Sequence, residues 1–83
     1  MELKDTVAMM CSEDYKERFK AEYYQLKIRH DKLKAMCDKW DRKELNFTPT
    51  CPRVVYKAQI QDMSRYMKVL ERRAKIEGIE LTD

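Results

Sequence analysis

Glycine occurs once in this 83-residue chain, histidine and tryptophan once each, and proline twice. A single glycine, Gly78, excludes a glycine-rich phosphate-binding loop. The prolines, Pro49 and Pro52, lie close together, so nothing punctuates the long stretches on either side. Cys11, Cys37 and Cys51 are odd in number and form no CxxC pair, which argues against a secreted disulfide scaffold. Apolar runs fall well short of the ~20 residues that a membrane-spanning helix needs. Glu2 and Asp5 stand where a signal peptide would carry basic residues. The expectation is one small cytoplasmic domain, spanning residues 1–83, with no membrane partner, metal or cofactor.

What remains is charge and periodicity. Charged residues make up 40% of the chain, a composition that suits long, solvated helices. Phe19, Tyr23, Leu26, His30, Leu33, Cys37 and Trp40 alternate at spacings of four and three, as do Tyr56, Ile60, Met63, Met67, Leu70 and Ala74. Each set therefore lies on one side of an α-helix. The connection between them is short enough to fold the second helix back on the first. The fold class is all-α: an antiparallel hairpin of two long helices with a short N-terminal helix. The expected bounds are about 3–11 for the short helix, 13–42 for the first long one, 46–51 for the turn and 52–77 for the second. Ser12 is the expected N-cap of the first long helix, with Glu13 and Asp14 in its first turn. Cys51 or Thr50 should cap the second, with Pro52 in its first turn. Gly78 should end it in a left-handed conformation. Leu45 and Phe47 are expected to plug the end of the hairpin.

Ala21, Tyr24, Ile28 and Ala35 fall nearly opposite the seam of the first long helix. A helix apolar on two sides needs a second partner for the second side. The N-terminal helix and another subunit are both candidates, while scattered exposed apolar residues would need neither. Association into a homo-oligomer is the favoured expectation, since small domains often gain stability that way.

Residues able to carry chemistry are few. His30 sits inside the seam, where a lone imidazole reads as a hydrogen-bonded or register-fixing core residue. Neither a Ser nor an Asp at helical spacing shares its face, so no nucleophile–base arrangement is expected and enzymatic activity is not. Cys37 lies two turns on, but two ligands do not make a zinc site. The carboxylates are mostly interleaved with Lys and Arg, the pattern of a solvated helix face.

The second long helix is more distinctive. Residues 52–77 hold seven Lys/Arg against three Asp/Glu, whereas residues 12–44 hold ten against eight. Arg53, Lys57, Arg65, Lys68, Arg72 and Lys75, with Gln61, fall within about 120° of helix surface. Such an arc is either a solubilising face or a site for phosphates. Tyr15, Tyr24, Tyr56 and Tyr66 would add base-stacking surfaces.

The run Asp14-Tyr15-Lys16-Glu17-Arg18-Phe19-Lys20-Ala21-Glu22-Tyr23-Tyr24-Gln25-Leu26-Lys27 resembles the opening of small proteins of bacteriophages and prophages, related to a crAss-like phage protein of unknown function. The resemblance extends to Leu45-Asn46-Phe47-Thr48-Pro49-Thr50-Cys51-Pro52 and to Ile76-Glu77-Gly78-Ile79-Glu80-Leu81. One departure is Arg42-Lys43, where relatives often carry a small residue or glycine. The basic second helix is another. In layout, and in the turn Thr48-Pro49-Thr50-Cys51-Pro52, the chain is also similar to the anti-CBASS sponge proteins of phages. These are helical oligomers that trap cyclic oligonucleotide immune signals between subunits.

The resemblance implies a phage-encoded, non-enzymatic counter-defence protein acting in the host cell cytoplasm. Its ligand would be a cyclic oligonucleotide held at subunit interfaces. Tyr15, Tyr24, Lys27 and Arg29 are the candidates that match the residue types such a sponge uses, with Tyr24, Lys27 and Arg29 favoured. From the basic arc, Arg53, Lys57 and Arg65 would join them. The alternatives are a helical module that inhibits a host defence protein and a phage accessory protein that binds nucleic acid.

Overall fold

The computed structural model describes residues 1–82. A 3₁₀ turn over Leu3–Thr6 runs into a single α-helical turn, α1 (Val7–Met10), followed by α2 (Tyr15–Asp41) and α3 (Arg53–Glu77). Among the described residues there are no strands, and the two long helices pack together as a hairpin about 43 Å long.

Local chemistry sets the helix ends. The N-cap of α2 is Asp14, whose carboxylate accepts from the Lys16 N–H at 3.0 Å. Ser12 is displaced from the expected capping role. Its hydroxyl accepts from the Asp14 N–H instead, at 3.0 Å, and so orients the true cap. The Asp14 carboxylate also places a full negative charge at the helix N-terminus. At the other end, the Glu44 N–H reaches the Lys39 carbonyl and the Lys43 N–H that of Trp40. This is the Schellman closure, with Lys43 left-handed at φ 61°. The N-cap of α3 is Pro52 itself, with no side-chain cap, in place of the expected Cys51 or Thr50. Gly78 terminates α3 at φ 69°, as expected, and the Ile79 N–H bonds the Ala74 carbonyl at 2.8 Å.

The core is densest at one end of the hairpin. Phe19, Tyr23, Tyr24 and Leu26 of α2 meet Leu70 and Ala74 of α3 there. Ile79 and Leu81 of the tail and Met9 of α1 complete the cluster. Leu70 is fully buried; burying such a side chain is worth about 1.5–3 kcal/mol. Toward the turn, Leu33, Trp40, Tyr56 and Ile60 are only half-buried, because no third element covers them. That end is held by an edge-to-face contact between Trp40 and Tyr56 and by Arg53, which grips both Asp41 oxygens at 3.1 and 3.0 Å. Leu45 is half-buried, but Phe47 remains 54% exposed and does not plug the hairpin.

The second apolar side of α2 is partly covered by the chain itself. Ala21 and Tyr24 are buried, with the N-terminal turns packed against α2. Ile28 is half-buried and Ala35 exposed. The largely uncovered apolar surface is on α3, where Val54, Val55, Val69 and Ile76 are exposed.

Candidate functional site

Tyrosine is the first residue type whose role changes. Three hydroxyls tie the long helices together by donating to carboxylates across the hairpin: Tyr15 to Glu77 at 2.7 Å, Tyr23 to Glu71 at 2.6 Å, and Tyr66 to Glu22. The Tyr24 hydroxyl, held 3.1 Å from the Thr82 hydroxyl, accepts from the Thr82 N–H at 3.0 Å, and its ring is buried. These hydroxyls are therefore structural ties, while Tyr15 and Tyr66 themselves stay 46% and 45% exposed. Arg73 completes the end of the hairpin: it donates to the Tyr15 hydroxyl and to Glu77, and its guanidinium lies 5.0 Å from the Phe19 ring centre. The Tyr15 hydrogen bond holds the Glu77 carboxyl below its usual range and pushes the Tyr15 phenol up.

His30 has partners on two sides. Its Nδ1 lies 2.9 Å from Asp31 Oδ1 and its Nε2 lies 3.0 Å from Ser64 Oγ, on α3. The histidine bond holds the Asp31 carboxyl below its usual range, so Asp31 accepts and Nδ1 donates. In the neutral ring Nε2 then accepts from Ser64. A Ser–His–Asp line thus exists where none was expected, because the serine arrives from the other helix. It has no oxyanion donors beside it: Ser64 sits in the middle of α3, where backbone N–H groups are committed to the helix. The arrangement satisfies a half-buried imidazole and fixes the register of the two helices.

The six residues expected to bind ligand are not brought together in the folded chain. Tyr24 and Lys27 share a small cleft with Met1 and Ile28, and Lys27 pairs with Asp31 at 3.5 Å. Arg29 is exposed. Arg53 and Lys57 share a cleft of about 210 Å³ with Lys34 and Gln61. Arg53 is engaged by Asp41, whose carboxyl it holds below the usual range, and Lys34 is engaged by Asp38. Arg65 pairs with Asp62 at 3.0 Å.

The other half of the basic arc is different. Lys68, Arg72 and Lys75 form no ion pair among the described residues. They line a groove of about 280 Å³ with Glu71, whose carboxylate accepts from Tyr23. Their i, i+4, i+7 spacing stacks them on one face within about 11 Å of helix. Lys75 and Glu71 also border a second groove of about 350 Å³, whose floor is Tyr23, Ala74, Ile79 and Leu81. Three cations against one occupied carboxylate, beside an apolar floor, suit a ligand with phosphates at one end and a flat apolar body at the other.

A family model described as Sequestin matches residues 13–76, which include most of both long helices. The chain belongs to the Sequestin family. No curated protein and no solved structure matches it. The matched span contains Lys68, Arg72 and Lys75 and ends before the tail that supplies Ile79 and Leu81. A larger cleft, about 420 Å³, lies instead toward the turn beside Phe47, Lys32 and Lys39. Its two lysines share that cleft with Glu44, whereas the groove on α3 sets three cations against one carboxylate. The smaller, more cationic groove is the better candidate. Arg72 was legible in the sequence, since no Asp or Glu stands three or four residues from it on either side.

Proposed function

We propose that this chain is a phage-encoded, non-enzymatic protein that withdraws a cyclic oligonucleotide immune signal from its effector by binding it. The family name describes sequestering, and the resemblance to phage proteins supplies the biological setting. The observation that carries the reading is the trio Lys68, Arg72 and Lys75, unpaired beside the groove floored by Tyr23, Ala74, Ile79 and Leu81. Phosphates would sit on the cations, with a base against the apolar floor. Sequestration needs abundance and affinity, not turnover, because a bound signal is removed by mass action. Sister subunits would enclose the ligand between them in the host cytoplasm.

A thermal-shift titration with cyclic dinucleotides, cyclic trinucleotides and pyrophosphate-linked cyclic nucleotides tests this reading. At a hundredfold excess over Kd the gain is about 2.7 kcal/mol, a rise of about 10 °C or more for a domain of this size. Replacing Lys68 and Arg72 together by Glu should abolish the rise, whereas Arg53→Ala should leave it. Silence across the panel would refute the proposal. So would a shift untouched by the double substitution. Binding to DNA that weakens steeply with salt would favour the accessory role instead.

A further inference from the structure

The outer face of α3 carries a second heptad pattern. Val55, Asp62, Val69 and Ile76 recur at intervals of seven, and Ala58, Arg65 and Arg72 recur at seven between them. At 100° per residue this stripe lies opposite the seam that packs on α2. Among the described residues every contact of α3 with another helical element is with α2, so no other helix covers the stripe. Val69 is 52% and Ile76 79% exposed, as are 73% and 76% of the Asp62 and Arg65 side chains.

We propose that this face is where a second copy of the chain docks, α3 against α3 and antiparallel, about a two-fold axis between residues 63 and 64. Charge decides both the occupant and the direction. Antiparallel pairing at this register sets Asp62 opposite the partner's Arg65, and Arg65 opposite the partner's Asp62, so the intrahelical Asp62–Arg65 pair of each copy joins a four-charge network with two crossed ion pairs at the centre. Ala58 then meets the partner's Val69. Val55 meets the alkyl stem of the partner's Arg72, whose head remains in water. A parallel pairing would stack Asp62 on Asp62 and Arg65 on Arg65, like on like.

The same symmetry acts on the basic arc. A two-fold normal to the helices leaves the basic flank of each α3 on the same side of the interface. Lys68 and Arg72 of one copy thus face Lys57 and Gln61 of the other across a shared groove. Each ligand groove is completed by its neighbour, which reunites cations that are separated within one protomer. Facing cations repel, so an anion in the groove strengthens the dimer. This last coupling rests on the proposed ligand class; the pairing does not.

The test is sedimentation equilibrium of the full chain, without ligand, across micromolar to millimolar concentrations. A dimer is expected. Asp62→Arg alone, or Arg65→Asp alone, should weaken it at least tenfold, and the two together in one chain should restore it. Val69→Glu should give a monomer with unchanged helical circular dichroism, since that position is exposed in the protomer. A monomer throughout would overturn the pairing, as would a dimer indifferent to all four variants or single variants not rescued by the swap. Titration with cyclic di- and trinucleotides separates the two proposals. Binding by a clean monomer sinks the pairing and leaves sequestration standing; a dimer that binds no cyclic nucleotide does the reverse.

Discussion

Replacing Gly78 by Ala probes the turn that forms the floor of the candidate groove. Gly78 is left-handed at φ 69°, and that reversal folds Ile79 onto Ala74 and sends Thr82 to Tyr24. A Cβ at position 78 would meet nothing within 4 Å, so sterics add no cost. The penalty is conformational: about 1–2 kcal/mol for an L-residue in this region, offset by about 0.4–1 kcal/mol from a stiffer unfolded chain. The net loss of about 1 kcal/mol should lower Tm by about 4–8 °C. Gly78→Asn should lose less, because Asn tolerates this conformation. Thermal melts followed by far-UV circular dichroism give the answer. A rise in Tm would refute the reasoning, since alanine is better than glycine by about 1 kcal/mol wherever a helix simply continues.

Three further predictions follow from the same geometry. Lys43→Gly should raise stability in urea titrations by about 0.5 kcal/mol, because Lys43 holds a left-handed φ of 61° without a glycine's freedom; a loss would mean that its side chain matters more than its backbone. Ser64→Ala should cost about 1 kcal/mol by stranding the His30 Nε2, and it should leave cyclic nucleotide binding intact; lost binding would place His30 in the site. Acid should loosen the fold through Asp31, Asp41 and Glu77, whose carboxyls are held below their usual range by His30, Arg53 and Tyr15 respectively. Their stabilisation is present above the unfolded values of about 3.9 and 4.3 and is lost as pH falls through the lower folded ones. Tm should drop below about pH 4; a Tm still level at pH 3 would contradict these hydrogen-bond and ion-pair assignments.

The hairpin was legible because its information is local. Two seams at heptad spacing fixed the helices, and Gly78 marked the end of the second. The cap of α2 was misplaced by two residues because Ser12, Glu13 and Asp14 all suit a helix start, and only backbone geometry selects Asp14. The tyrosine ties across the hairpin were not foreseen, for a deeper reason. Whether Tyr15, Tyr23 and Tyr66 face water or a carboxylate depends on how α2 and α3 align, and spacing within one helix carries no such information. Ser64 was missed as the partner of His30 on the same ground. The basic arc was visible as a whole. Its division was only partly visible: Asp62 three residues before Arg65 foretells that pair, whereas Arg53 with Asp41 spans the turn. The unpartnered apolar face was expected on α2, but the N-terminal turns and the tail cover much of that side and leave the α3 face open.

Retention without chemistry is the central claim, and ligand recovery tests it most directly. The protein is mixed with the cyclic nucleotide that gives the largest thermal shift, freed of unbound ligand by filtration, and heat-denatured. The released nucleotide is then quantified and its mass measured. The account predicts stoichiometric return of the unaltered cyclic nucleotide, and loss of retention on replacing Lys68 and Arg72 by Glu. A linearised or hydrolysed product, or retention indifferent to those two cations, would contradict it.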